Sequence, residues 1–142
     1  MNFEAKHPSV GVIHSLTRAA IGFLFLCHGA ASLFGVMGGA AGTHGGTVPF
    51  GVWPSWWAAV IQLVCGALVM LGAGTRWAAL IASGSMAYAY FTVHQAHGVF
   101  PIENNGEAAA LYAWIFLMLV VIGPGPWTAT RILGLKRRTP AA

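Results

Sequence analysis

The sequence predicts an all-α integral membrane protein, a bundle of four transmembrane helices with both termini cytoplasmic. Three observations predict it. Of 142 residues, 57% are apolar and only 7% charged, whereas an average soluble domain is about a quarter charged. Apolar stretches of about 20 residues, enough to cross a bilayer, recur along a single membrane domain that takes in residues 1–142. All seven Lys and Arg residues fall on one side of the spans so defined. No strand alternation is visible, and a lipid-exposed chain must satisfy its backbone internally, so the spans are helical. Two cysteines exclude a disulfide-built secreted scaffold. The net charge of +4 comes without a basic stripe between aromatics, which excludes nucleic acid as a partner.

Span one covers 16–36, LTRAAIGFLFLCHGAASLFGV, with Arg18 at its first turn. It is too long for the apolar core of a signal peptide, and no small-residue cleavage site clearly follows. The glycine-rich loop 37–54 reads as a flexible surface loop, with a lid or partner-ordered segment as the sharper reading. Span two covers 55–74, entered through Trp53-Pro54, with Trp56 and Trp57 as interfacial anchors. Span three covers 77–97, where Ala79, Ser83 and Ala87 repeat at four-residue spacing. Small residues let helix backbones approach, so that face is an interhelical contact. Span four covers 107–126, closed by two prolines and Trp127, and a basic cytoplasmic tail occupies 128–142.

Charge orients the spans. Lys6 and Arg18 precede or open span one, Arg76 separates spans two and three, and Arg131, Lys136, Arg137 and Arg138 follow span four. Loops 37–54 and 98–106 contain neither Lys nor Arg, while Glu103 and Glu107 mark their side. The positive-inside rule makes the basic side cytoplasmic. Arg18 and Arg76 are therefore structural and topology residues, Arg76 snorkelling to the headgroups. The basic tail enforces topology and attracts anionic lipid, or docks a cytoplasmic partner.

Polar residues inside a membrane are costly, and each needs a reason. At 1.5 Å per residue, His28 and Gln62 both lie roughly 10–12 Å below the outer boundary. They form either an interhelical clasp or a polar pocket for a quinone carbonyl, a haem or a proton. Cys27 and Cys65 fall at similar depth, as buried fillers or a bridge. Tyr90, His94 and His97 recur at i, i+4 and i+7, hence on one helix face. Span four begins nearby with Glu107, so His94, His97 and Glu107 are a candidate metal set, with His44 as a fourth member. The bland account is a solvated histidine pair; a proton relay or axial haem ligation is the alternative. No nucleophile–base–orienter triad, P-loop or dinucleotide fingerprint is present.

The string Arg18-x3-Gly22-x-Leu24-Phe25-Leu26-x-His28-Gly29, followed by Leu33-Phe34-Gly35, resembles the opening motif of the DoxX family of small four-span membrane proteins. Gln62-Leu63-x2-Gly66 with Leu71-Gly72-x2-Thr75-Arg76-x-Ala78-Ala79 resembles that family's second span and cytoplasmic turn. Asn105-Gly106-Glu107-x-Ala109-x-Leu111-Tyr112, then Gly123-Pro124-Gly125, resembles its fourth. The family often has a lysine after His-Gly, where this chain reads Ala30-Ala31-Ser32, and an acidic residue at the position of Gln62. The resemblance implies respiratory or sulfur redox chemistry in the bacterial cytoplasmic membrane.

The functional expectation is an accessory or anchor subunit of a larger membrane redox complex, linked to respiration, sulfur or oxidative stress. A non-catalytic subunit is favoured over a stand-alone enzyme, with the lipid bilayer and other subunits as partners and a homo-oligomer open. The alternative is a quinone- or haem-binding oxidoreductase subunit using His28, Gln62, His94 and Glu107. A small transporter or channel is the third reading, although no inverted repeat is visible.

Overall fold

The structure is a computed structural model that describes residues 8–134. It is all-helical, with no strand among the described residues. The helices are α1 (Pro8–Phe34), α2 (Ser55–Leu71), α3 (Thr75–Ala89), α4 (Glu107–Ile122) and a short α5 (Ala129–Ile132). A π-helical turn, Tyr90–His94, and a 3-10 turn, Gln95–His97, extend α3. Among the described residues, α1 alone is long and apolar enough to cross a membrane by that test; α2 and α4 are shorter apolar helices.

Helix α1 buries Gly11, Ser15, Arg18, Gly22, Phe25 and Gly29, which alternate at spacings of four and three. That heptad rhythm keeps one seam facing a neighbour. The neighbour is α2, and glycine lets the backbones touch. A Cβ on Gly29 would fall 2.7 Å from the Ala59 carbonyl oxygen, and one on Gly66 2.5 Å from the Leu26 nitrogen. Phe25 then reaches across to α4, its ring centroid 5.1 Å from Tyr112 and 4.6 Å from Phe116.

Of the small-residue face predicted on α3, Ala79 and Ser83 are buried, while Ala87 is half-buried and lines a cleft. Ala78, Ala79, Ala82 and Ser83 are buried, and Ser83 Oγ donates to the Ala113 carbonyl of α4 at 2.8 Å. The core is a cluster of Phe25, Cys65, Val69, Ala79, Phe116 and Leu119 with their neighbours.

Turn chemistry corrects several boundaries. Helix α1 starts at Pro8, so Arg18 lies well inside it rather than in its first turn. Gly72 adopts a left-handed conformation (φ 73°) and ends α2 early, its N–H bonding Val69 and that of Ala73 bonding Leu68, a Schellman closure. Gly123 and Pro124 end α4 at Ile122. The loop after α1 is not a bare flexible connection. Ala40 is buried, and its N–H donates to Gly46 O at 2.9 Å while Gly45 N–H donates to Gly38 O at 2.8 Å. Trp53 precedes Pro54 through a cis peptide bond. Lys6, Lys136, Arg137 and Arg138, and with them most of the predicted basic tail, lie outside the described residues.

Candidate functional site

Gly123-Pro124-Gly125-Pro126-Trp127 follows α4 and cannot continue it. Proline lacks an N–H and fixes φ, while Gly123 and Gly125 take positive φ values of 86° and 75°. The carbonyls of such a segment find no helical or sheet donors and need side chains. Helix α1 supplies them. Arg18 is 3% exposed. Its Nε donates to Pro124 O at 2.7 Å and its Nη2 to Trp127 O at 2.6 Å. Its Nη1 donates to Val69 O and, at 2.6 Å, to Met70 O in the last turn of α2. One guanidinium thus joins three parts of the chain, a fork geometry that lysine cannot reproduce. His14 Nε2 donates to Gly123 O at 3.1 Å, and Ser15 Oγ accepts from Trp127 N–H at 3.2 Å.

Arg76 performs a similar service outside the core. Its Nη1 donates to Val120 O and, at 2.7 Å, to Val121 O, where the C-terminal dipole of α4 favours a cation. Arg131 donates to Pro126 O at 3.1 Å. Arg18 and Arg76 act here on carbonyls and join helix ends. An open cavity of about 730 Å³ lies beside them, lined by Gly72, Thr75, Arg76, Thr128 and Arg131 among others.

The histidines and Glu107 expected at the other end form no metal-holding group among the described residues. The π turn interrupts the 3.6-residue period on which a common face for Tyr90, His94 and His97 depends. His94 Nδ1 donates to Asn104 O at 3.1 Å, and His97 Nδ1 to Val93 O at 3.0 Å. Glu107 and His44 are exposed. No group of three or more His, Cys, Asp or Glu able to hold a metal occurs among the described residues, so His94, His97 and Glu107 do not assemble as a ligand set.

His28 is exposed on α1, its ring edge-on to Tyr112 at 6.0 Å between centroids. Gly29 packs on Ala59 and Leu63, which sets His28 and Gln62 at one level. No hydrogen bond joins those two among the described residues. Cys27 and Cys65 are free thiols.

Asn104 escaped sequence reasoning. It is buried, donates through Nδ2 to Gly98 O and accepts through Oδ1 from Gly106 N–H, both at 2.8 Å. Beside it an apolar cleft of about 320 Å³ runs between α3 and α4, lined by Ser83, Tyr90, Phe91, Trp114 and Leu117 among others.

The DoxX family profile matches residues 13–95, from the α1 seam through the π turn. An uncharacterized protein of Haemophilus influenzae is 39% identical over 114 residues, covering 76% of this chain and 81% of its own length. No solved structure matches the chain. The matched region takes in Arg18, the Gly22 and Gly66 contact and Arg76, and it covers more than half of the 142 residues. The chain belongs to the DoxX family.

Proposed function

We propose that this chain is a four-span subunit of the bacterial cytoplasmic membrane, with both termini cytoplasmic, that anchors or supports a larger membrane redox complex. One observation carries the reading. The buried arginine and its neighbours are occupied in joining helix ends, while the lateral surface is apolar, with Phe23, Leu24, Ile81, Trp114 and Val121 all more than half exposed. Such a surface suits lipid or a partner's helices. Joined helix ends make a scaffold.

The test is isolation from native membranes in mild detergent through an affinity tag. The expected result is comigration with oxidoreductase subunits on a native gel. A partner-free protein with its own turnover overturns the reading.

A second reading, quinone binding, has one observation in its favour. The apolar cleft beside Tyr90 has a volume of about 320 Å³, within the roughly 300–1,000 Å³ of small-molecule sites. Gly106 packs against Tyr90, which lines the cleft, and against His94, which does not. Quinone extracted from the purified protein in stoichiometric amount supports this reading, and a Soret band points to haem instead. Neither signal removes it.

A further inference from the structure

Among the described residues, the end of the bundle that holds Arg18 and Arg76 carries more positive charge than its partners neutralise. The carboxylates among the described residues are Glu103 and Glu107, both at the other end; Glu4 lies outside the described residues. Arg18, Arg76 and Arg131 are engaged with backbone carbonyls. Carbonyls are dipoles and leave three unit charges in place. The C-terminal dipoles of α2 and α4 meet Arg18 and Arg76, but α3 begins at the same end with Gly74 as an N-cap that offers no side-chain bond. Its first N–H groups have no intrahelical acceptor.

The 730 Å³ cavity lies at this place, with Thr75, Arg76 and Arg131 in its lining. Thr75 is 3% exposed, and its Oγ1 is the buried side-chain polar atom without a hydrogen-bond partner among the described residues. Buried hydroxyls are nearly always partnered, so an orphan in the wall of a basic cavity points to a missing acceptor. A Cβ on Gly74 would meet nothing within 4 Å, so the backbone at the start of α3 stays open to a ligand.

We propose that this cavity binds a phosphate group. Arg76 and Arg131 supply the charge, the Thr75 hydroxyl donates a hydrogen bond, and the N-terminus of α3 adds its dipole. A tetrahedral oxyanion with several acceptors matches guanidinium forks and a free helix N-terminus. The phosphate comes either from an anionic headgroup of the cytoplasmic leaflet or from inorganic phosphate. The headgroup source rests on the membrane orientation proposed above; binding of the free ion does not.

Titration of the purified full chain in neutral detergent with inorganic phosphate, followed by calorimetry, tests the site. Native mass spectrometry from phosphatidylcholine nanodiscs with and without phosphatidylglycerol tests the lipid source. Binding by either probe is expected. Arg131→Gln weakens it about tenfold, the loss of one charge-assisted hydrogen bond. Thr75→Val weakens it while leaving the ligand-free protein as stable or more so, because the orphan hydroxyl is gone. A purely structural threonine does not give that pair of results. Enrichment of phosphatidylglycerol assigns the phosphate to lipid, and binding of inorganic phosphate without enrichment assigns it to the free ion. Absence of both, or unchanged binding in the two variants, overturns the proposal.

Discussion

Gly22 and Gly66 face each other reciprocally across the α1–α2 contact. A Cβ on Gly22 would lie 2.8 Å from the Gly66 carbonyl oxygen, and a Cβ on Gly66 2.9 Å from that of Gly22. Both obstacles are backbone, so neither can turn aside. Gly66→Ala therefore forces the helices apart and lowers stability by about 1–3 kcal/mol, read as a shifted unfolding midpoint in detergent. Gly84 is helical with nothing within 4 Å of a built Cβ. Gly84→Ala is neutral or stabilising by up to about 1 kcal/mol. Equal losses in the two variants would contradict the close-packing account.

Arg18 is expected to be the costliest polar residue to replace. Arg18→Met removes donors from four carbonyls, those of Val69, Met70, Pro124 and Trp127. The expected loss is about 3 kcal/mol or more, since four buried or half-buried acceptors lose a charged donor. Arg18→Lys keeps the charge without the fork and recovers only part of it. A detergent-denaturation series over the three proteins gives the order Arg, Lys, Met if the guanidinium fork holds the three parts of the chain together.

Arg76 is exposed, and its bonds to Val120 and Val121 compete with water. Arg76→Ala costs about 1 kcal/mol or less. Its signature is local, a rise in amide exchange over the last turn of α4 with the rest of the bundle protected. Uniform loss of protection throughout the chain would show that Arg76 belongs to the core instead.

Asn104→Ala is expected to loosen loop 98–106 and release the His94 ring, because one side chain both donates to Gly98 and accepts from Gly106. Leaving those buried groups unpaired costs about 1–3 kcal/mol. Proteolysis within 98–106 should quicken in the variant; unchanged cleavage would deny Asn104 its organising role.

Orientation is checked with single cysteines in a protein whose Cys27 and Cys65 have been replaced. An impermeant maleimide on intact cells should label Ala41→Cys, in the loop after α1, and miss Leu133→Cys until the membrane is opened. Both positions are exposed. The reverse pattern sinks the proposed topology.

The helical elements were legible because apolar run length needs no tertiary knowledge. The small residues of α3 were equally plain, since Ala79 and Ser83 owe their burial to size. Arg18 was misread. Charge counting treats every arginine near a span as a topology marker, whereas the heptad rhythm from Gly11 to Gly29 puts this one on the buried seam. That rhythm was available in the sequence. The histidine cluster failed for another reason: a π turn changes the angular register, and nothing in Tyr90-Phe91-Thr92-Val93-His94 announces one. Thr75 stayed silent as well, since an orphan hydroxyl exists only once its neighbours are placed.

The acceptors of Arg18 impose an order on biogenesis. Val69 and Met70 emerge from the ribosome some fifty residues after Arg18, Pro124 and Trp127 more than a hundred after it. Until then the first helix carries an arginine without its final acceptors. Nascent protein cut short before Gly123 keeps only the acceptors on Val69 and Met70 for that charge. The first helix is therefore the element whose polar bonding is completed last, by carbonyls more than a hundred residues away.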